Sequence, residues 1–368
     1  MSNAASVNER LARLTALGTS IWLDQIERKL VEGGELARLV AEDSLRGMTS
    51  NPAIFEKAIL GSEEYDDQIS KLAHEGADSR GIYQAIAIQD VQGAADVLRS
   101  VYDETDGYDG YVSLEVDPDL AFDTDKTIAQ AQEYWGRVDR PNLMIKIPGT
   151  DEGLPAITET LYAGINVNVT LLFKVEQYEK VIDAFLAGME RRVDEGLPVD
   201  NLHSVASFFV SRVDTEVDKR LEAAGNTELQ GRAGVANARA AYQSFLKVFH
   251  GDRFAKLREA GAPVQRPLWA STGVKNPKYK DTMYVDELAG PEIVNTMPVA
   301  TLEAAGDHSE ATEPRVTIDP SADLKALADA GIDMGDVTDK LLKDGVDAFV
   351  TPMEKLLDGI DAKRKAVA

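Results

Sequence analysis

The stretch Tyr111–Asp117 reads YVSLEVD, in which apolar and polar side chains alternate from Val112 onward. Successive side chains of a β-strand point to opposite faces, so Ser113, Glu115 and Asp117 share one face. Burying ions there costs several kcal/mol each unless they are paired, and stability alone does not require them. The charged face of this strand therefore indicates chemistry.

Seven further short apolar runs occur along the chain, and each is followed by a segment with helical spacing. Strands that alternate with helices predict a parallel sheet, and eight such units predict an α/β fold of the (β/α)8 TIM-barrel type. The seven runs are Ser20–Asp24, Gly47–Asn51, Leu143–Pro148, Asn166–Phe173, Ser204–Ser211, Pro267–Thr272 and Glu292–Met297.

The remaining segments predict additions to one barrel domain that spans residues 1–368. Residues 53–110 are long enough for two or three helices, which would form an insertion between strands two and three. Residues 298–320 are rich in Pro, Gly, Thr and acidic residues and predict an irregular loop. Residues 321–366 return to helical spacing. We expect 298–368 to be a loop and helical C-terminal extension packed on the barrel, with a small separate domain as the alternative.

The composition of the chain narrows the partners, the chemistry and the cellular compartment that we expect. The chain carries 39 basic and 63 acidic residues, for a net charge of −24, which disfavours nucleic acid and membranes as partners. The absence of cysteine removes disulfides, thiolate nucleophiles and Cys-ligated metals, and suits a reducing compartment. No apolar stretch reaches the ~20 residues of a membrane span, and residues 8–14 predict a polar amphipathic helix rather than a signal peptide. We expect a soluble, cytoplasmic protein.

Other predicted strands repeat the pattern of the first. Their inward polar side chains sit late in each strand, near the carboxyl ends where the active sites of such barrels lie. Lys146 is the lone charge in an otherwise apolar run. The inward residues singled out as candidates for chemistry are Asp24, Thr49, Asn51, Glu115, Lys146, Asn168 and Thr170.

Three of these residues also have purely structural interpretations. Lys146 could extend its amine to solvent from an edge strand, and Glu115 could serve only as its ion-pair partner. Asp24 could cap a helix that starts at Gln25.

The amides and hydroxyls have such interpretations as well. Asn51–Pro52 could be no more than the start of the next helix. Asn168 and Thr170 could satisfy each other's hydrogen-bonding groups inside the barrel. The joint pattern favours chemistry, because all the structural explanations would have to hold at once.

The sequence lacks the motifs that most other kinds of catalytic or metal site require. The four histidines are scattered without a His-Glu-x-x-His pattern, and the sequence contains neither a P-loop nor Gly-x-Gly-x-x-Gly. Asp117–Asp125 lacks the central Gly and closing Glu of a calcium loop, and Ser271 is not in a Gly-x-Ser-x-Gly turn. What remains is a buried amine among carboxylates, hydroxyls and amides, the set needed for covalent imine catalysis on a carbonyl.

A run of motifs, in order from the first strand to the seventh, resembles the transaldolases over about residues 20–276. The motifs are Thr49–Pro52 (TSNP), Val112–Asp117 (VSLEVD), Ile145–Pro148 (IKIP), Asn166–Phe173 (NVNVTLLF), Ala206–Arg212 (ASFFVSR) and Ala270-Ser271. The resemblance implies a (β/α)8 barrel and a transferase of the pentose phosphate pathway. It would move a dihydroxyacetone unit from sedoheptulose 7-phosphate or fructose 6-phosphate to glyceraldehyde 3-phosphate or erythrose 4-phosphate, without metal or cofactor.

The resemblance also implies catalytic roles. Lys146 would form the Schiff base, and Asp24 would be the acid and base of carbon–carbon cleavage. Glu115 would move protons in imine formation and hydrolysis through a water held by Thr170.

Further residues would bind the substrate. Arg212 and Ser271 would hold the phosphate, and Lys275 stands where the better-known branch has an arginine, so it offers a point charge rather than a two-pronged contact. The remaining members of the implied substrate-binding set are Thr49, Asn51, Asn168 and Ser207.

Two alternatives stay open at this stage. A related Schiff-base aldolase of the fructose-6-phosphate aldolase type would release free dihydroxyacetone, and a silent sugar-phosphate-binding barrel would form no imine. Sugar phosphates are the expected partners, and a homo-oligomer is left open.

Overall fold

The computed structural model describes residues 7–367. Eight parallel strands close into a barrel in chain order, because β1 pairs with both β2 and β8. The predicted (β/α)8 barrel is therefore confirmed. The strands are β1 Thr19–Asp24, β2 Leu45–Thr49, β3 Tyr111–Glu115, β4 Leu143–Pro148, β5 Val167–Leu172, β6 Ser204–Phe209, β7 Gln265–Ala270 and β8 Ile293–Met297.

Helices surround the barrel and cover the end formed by the carboxyl termini of the strands. They are α1 Glu9–Ala16, α2 Arg28–Glu32, α3 Glu35–Glu42, α4 Pro52–Leu60, α5 Asp66–His74, α6 Ser79–Glu104, α7 Thr124–Val138, α8 Gly153–Tyr162, α9 Val175–Asp194, α10 Ser211–Ala223, α11 Ala233–Phe249, α12 Ala255–Glu259, α13 Met283–Glu287, α14 Val299–His308, α15 Ser321–Asp329 and α16 Met334–Val367. Short 3-10 turns occupy Pro118–Leu120 and Asp252–Phe254. None of the helices within residues 7–367 is both long and apolar enough to cross a membrane.

The alternation of side chains decides what each strand contributes. Val112 and Leu114 of β3 belong to the main apolar cluster, which lies between the sheet and the outer helices. The opposite face points into the barrel, where Glu115 stands beside Lys146 in register. The same two-residue period thus builds the core and aims the polar groups at the barrel axis.

The amino-terminal end of the barrel is closed by a buried polar network. Arg266 of β7 pairs with Asp109 at 3.0 Å and donates a hydrogen bond to Ser20 Oγ at 2.8 Å. Asp109 also accepts from Trp22 Nε1 at 3.1 Å. Because both ions are satisfied, this network is structural.

The chain after β8 differs in part from the prediction. Residues 298–320 were predicted to be irregular, but Val299–His308 forms α14, so this expectation is wrong over that stretch. Gly306 lies where α14 approaches α1, and a Cβ there would come within 2.8 Å of Asn8. Its carbonyl accepts a hydrogen bond from Asn8 Nδ2. The glycine therefore allows the two helices to pack closely. Composition alone predicts a loop at such a glycine.

The last helix, α16, lies over one side of the barrel. It packs against α4, α5 and α6, whose chain segment joins β2 to β3, and also against α10 and the end of β5. Two glycines permit close approach: a Cβ at Gly359 would clash with Leu60 of α4 at 2.5 Å, and one at Gly345 would come within 3.1 Å of Leu171. The expected single domain also includes residues 1–6 and 368, which lie outside the described residues.

Helix α10 is anchored by a buried carboxylate. Asp214 Oδ1 accepts from Gly234 N at 2.8 Å, and its Oδ2 accepts from Tyr284 Oη at 2.8 Å. These bonds tie α10 to α11 and α13. Burial raises the pKa of Asp214 to about 6, although the hydrogen bonds oppose the rise.

This raised pKa predicts a pH-dependent stability. Between pH 4 and about 6 the folded protein keeps a proton on Asp214 that the unfolded chain has released. The free energy of unfolding should therefore fall by about 1.4 kcal/mol per pH unit in this window as pH rises. Asp214→Asn should lack that contribution, so the variant gains stability relative to the natural chain on going from low to high pH.

Urea unfolding at several pH values on either side of this window measures the effect. Asp329→Asn, at an exposed ion pair with Lys325, is the matched control and should follow the natural profile. Parallel profiles for the natural chain and Asp214→Asn would contradict the assignment.

Candidate active site

A cavity of about 370 Å³ opens at the carboxyl ends of the strands. It gathers most of the residues that the sequence singled out, although they come from six strands and the loops that follow them. The predicted residues that line it are Asp24, Thr49, Asn51, Lys146, Thr170, Ser207, Arg212, Ser271 and Lys275. Glu115 and Asn168 lie just beneath it and are not part of its lining. A larger cavity of about 600 Å³ beside α9 and α16 contains none of the predicted site residues.

Lys146 and Glu115 form a buried ion pair at adjacent positions of β4 and β3. Nζ lies 3.0 Å from Glu115 Oε2 and donates a hydrogen bond to the carbonyl oxygen of Ser50 at 3.1 Å. Lys146 is only 4% exposed, so the interpretation in which its amine reaches bulk solvent is wrong. Burial raises the pKa of Glu115, and the neighbouring ammonium opposes that rise.

Asp24 stands at the end of β1. Its Oδ1 accepts a hydrogen bond from Thr49 Oγ1 at 2.7 Å. The next helix begins only at Arg28, with Glu27 at its N-cap position, so the capping interpretation of Asp24 is wrong. Burial raises the pKa of Asp24, while Lys146 and more distant cations oppose the rise.

Asn168 and Thr170 do not bind each other. Asn168 Nδ2 donates to Ser113 Oγ at 2.9 Å, and its Oδ1 accepts from Ser207 Oγ at 2.7 Å. Thr170 Oγ1 is buried and has no hydrogen-bond partner among residues 7–367. Thr170 is therefore the member of this pair that has a hydroxyl free for substrate or water.

A bulge in β5 adjusts the direction of Thr170. The pairing with β6 shifts between Val169 and Leu172, and Leu171 adopts a left-handed backbone with φ of 60°. Such a conformation is strained for a branched side chain and is found where the surrounding structure imposes it. The bulge turns two consecutive residues, Thr170 and Leu171, toward the carboxyl end of the barrel, where the cavity opens and α16 packs.

Asn51 has the structural role that was set beside its functional one. Its Oδ1 accepts from Ile54 N at 3.1 Å and caps α4, with Pro52 at the first helical position. The side chain nevertheless lines the cavity. Capping and exposure to the cavity occur together because α4 starts directly at the end of β2.

Arg212, Ser271 and Lys275 form the cationic side of the cavity. Arg212 is half-buried against the ring of Phe209, 5.2 Å from its centroid. Neither cation forms an ion pair with a carboxylate of the described chain, although 63 acidic residues are available. Ser271 shares a 2.8 Å hydrogen bond with Ser211 at the start of α10. Cations held without a counter-ion at the rim of a cavity are suited to an anionic ligand.

The arrangement combines a buried amine, two carboxylates with raised pKa values and an anion-binding rim. An amine beside a base can attack a carbonyl, and a second carboxylate on another strand can act at a neighbouring atom. No group of three or more His, Asp or Glu side chains in residues 7–367 is arranged to hold a metal ion. The geometry therefore matches imine chemistry on an anionic carbonyl compound.

Comparison with known proteins agrees with this chemistry. A family model described as Transaldolase/Fructose-6-phosphate aldolase matches residues 21–360. The chain belongs to this family. It is 50% identical to a protein named transaldolase from Mycolicibacterium smegmatis, over 97% of this chain and 99% of the relative.

Other members of the transaldolase/fructose-6-phosphate aldolase family are equally similar. A transaldolase of Thermobifida fusca is 51% identical over 95% of this chain and 97% of its own length. The protein named transaldolase 2 of Streptomyces coelicolor is 50% identical over 98% and 99%. The similarity therefore extends through α16, beyond the motifs that first indicated the family.

Several lining residues of this family member were not predicted from its sequence. Lys57 of α4 and Phe349 of α16 both line the cavity. Each lies on a helix where its spacing fits ordinary packing or an ordinary exposed face. Phe209 was quoted within a motif but given no role. No local signal identifies these residues, because their place depends on how the helices cross the barrel.

Proposed function

We propose that this chain is a transaldolase that transfers a dihydroxyacetone unit through a Schiff base on Lys146. The donor is sedoheptulose 7-phosphate or fructose 6-phosphate, and the acceptor is glyceraldehyde 3-phosphate or erythrose 4-phosphate. These substrates belong to the pentose phosphate pathway. The observation that carries the proposal is the buried Lys146–Glu115 pair, 3.0 Å apart, directly at a cavity with cations on its rim.

Imine formation is assigned to Lys146, Glu115 and Thr170. The amine must lose a proton before it attacks the ketose carbonyl, and Glu115 is the nearest base. Its raised pKa makes its carboxylate a stronger proton acceptor. Departure of the carbinol oxygen as water requires a proton in return. The unpartnered Thr170 hydroxyl supports a role in holding the water that relays it.

Cleavage of the carbon–carbon bond is assigned to Asp24. A base must take the proton of the hydroxyl beyond the imine carbon, and Asp24 reaches the cavity from β1, apart from Lys146 on β4. The electron pair of the broken bond moves into the protonated imine, and the aldose leaves. A raised pKa suits Asp24 to accept this proton and later return it.

The phosphate is assigned to Arg212, Ser271 and Lys275. The two cations concentrate positive charge at the rim of a chain whose net charge is −24. Thr49, Asn51 and Ser207 line the same cavity and would bind substrate hydroxyls. Asn168 would act from beneath, by holding Ser207.

The proposal extends to organisation and location. We treat residues 1–368 as one domain, because the 53–110 and 298–368 segments pack on each other and on the barrel within the described residues. A cysteine-free chain suits the reducing cytoplasm, where we place the enzyme.

The central test is borohydride trapping with fructose 6-phosphate, followed by peptide mapping. Lys146→Ala should abolish both trapping and transfer, because Lys146 is the cavity-lining lysine whose amine contacts a buried carboxylate, that of Glu115. Lys174→Ala, at an ion pair with Asp339 outside this cavity, is the matched control and should be trapped normally. Trapping that persists in Lys146→Ala would disprove the assignment.

The same assay separates a transferase from an aldolase. We expect fast turnover of fructose 6-phosphate only when erythrose 4-phosphate is present. Rapid release of dihydroxyacetone without an acceptor would favour the aldolase alternative. Absence of any trapping would favour the silent sugar-phosphate-binding barrel.

Asp24→Asn should separate the two halves of the reaction. The amide keeps an oxygen for the Thr49 hydrogen bond but cannot take a proton. Trapping with fructose 6-phosphate should persist, while transfer should fall roughly 10²–10⁴-fold, the typical contribution of a positioned base. Melting temperature, trapping and turnover are measured together. Turnover within a few-fold of the natural enzyme would show that the cleavage base is another group.

Arg212→Ala should weaken the use of phosphorylated substrates. A charge-assisted hydrogen bond contributes roughly 1.5–3 kcal/mol, so KM for fructose 6-phosphate should rise about ten- to a hundredfold. Turnover of unphosphorylated dihydroxyacetone should change little. Arg220→Ala, on the same helix but paired with Glu216, is the control. Equal losses on both kinds of substrate would show that Arg212 is structural.

A further inference from the structure

The last helix brings an aromatic ring to the reactive lysine. Phe349 of α16 lines the cavity, is 4% exposed, and places its ring centroid 5.4 Å from Lys146 Nζ. Phe349 therefore supplies an apolar surface from outside the barrel.

The position of this ring is set by close packing one turn earlier. A Cβ at Gly345 would lie 3.1 Å from Leu171 and 3.3 Å from Phe173, so α16 rests directly on the end of β5. Leu171 reaches this contact through the bulge that also aims Thr170. Leu171 therefore supports α16, and Thr170, the residue before it in β5, carries the unpartnered hydroxyl. Both positions depend on the same bulge.

Further apolar side chains continue the cover around Phe349. Phe173 and Phe209 pack with ring centroids 5.2 Å apart, in the same buried cluster as Leu171 and Phe349. The next turn of α16 packs elsewhere: Met353, four residues beyond Phe349 on the same face of the helix, belongs to the main core cluster and does not line the cavity. Phe349 is therefore the residue through which α16 meets the site.

We propose that Phe349 is a specificity-determining residue that favours transfer of the three-carbon unit over its release. The inference rests on the proposed function and deepens it. After cleavage, the electron pair of the broken bond leaves an enamine on Lys146. The enamine carbon can attack the acceptor aldehyde, whose oxygen takes a proton as the new carbon–carbon bond forms. Water then hydrolyses the product imine and frees the lysine.

The competing reaction consumes water earlier. The enamine carbon takes a proton from a solvent water, and the hydroxide left behind takes the proton that Asp24 kept from the cleavage step. A second water then hydrolyses the imine, which releases dihydroxyacetone and frees the lysine. A phenyl ring gives a water molecule no hydrogen-bond partner, so a site covered by one is a poor place for that proton donor. Removing the ring opens space beside Lys146 in a cavity lined largely by polar side chains, so water beyond the one that Thr170 would hold can enter.

The test compares variants of the full chain by one ratio, dihydroxyacetone released from fructose 6-phosphate divided by transfer to erythrose 4-phosphate. Phe349→Ala should raise this ratio at least about tenfold while borohydride trapping at Lys146 persists. Phe349→Leu keeps an apolar side chain and most of the packing, and should raise it only about threefold. If Phe349→Ala fails to fold, the leucine variant decides the question alone.

Met353→Ala is the matched control, because Met353 packs in the main core cluster one turn beyond Phe349 and does not line the cavity. Its ratio should stay at the natural value even if its melting temperature falls. An unchanged ratio in the folded Phe349 variants, or an equal rise in Met353→Ala, would overturn the inference. Failure of the natural chain to be trapped would instead reject the proposed function.

Discussion

The two ion pairs buried inside the barrel each take their two charges from neighbouring elements of the chain, and this pairing organises the molecule. At the amino end, Arg266 and Asp109 satisfy each other within a hydrogen-bonded network. At the carboxyl end, Lys146 and Glu115 pair across adjacent strands, but Glu115 keeps an oxygen without a hydrogen-bond partner in the described chain. One network is complete and structural, and the other remains open toward a cavity.

The fold and most of the site were predictable because they follow a two-residue period. Side chains that alternate along parallel strands must meet at the barrel axis, so reading β3, β4 and β5 separately was enough to bring Glu115, Lys146 and Thr170 together. Phe349 could not be found in this way. Its position depends on the path of α16 across the barrel, and that path is set by Gly345 and the β5 bulge, which have no periodic signal.

The errors have the same origin. The first two residues of β7, Gln265 and Arg266, are polar and were left out of the predicted strand, yet both are buried, and Arg266 points into the barrel. Residues 298–320 were predicted to be irregular because they are rich in Pro, Gly, Thr and acidic residues, yet Val299–His308, which contains Gly306, is helical. In both places a contact made elsewhere in the chain, with Asp109 or with Asn8, changes the meaning of a residue that composition alone misjudges.

The contrast between a net charge of −24 and a rim that holds Arg212 and Lys275 gives ionic strength two opposing effects. At long range the acidic surface repels an approaching phosphate, and salt with a screening length of about 8 Å at 0.15 M weakens that repulsion. At contact distance the same ions compete with the substrate for the rim. Encounter is therefore slowest in dilute buffer and retention is weakest in concentrated salt, so the enzyme should work best at an intermediate ionic strength.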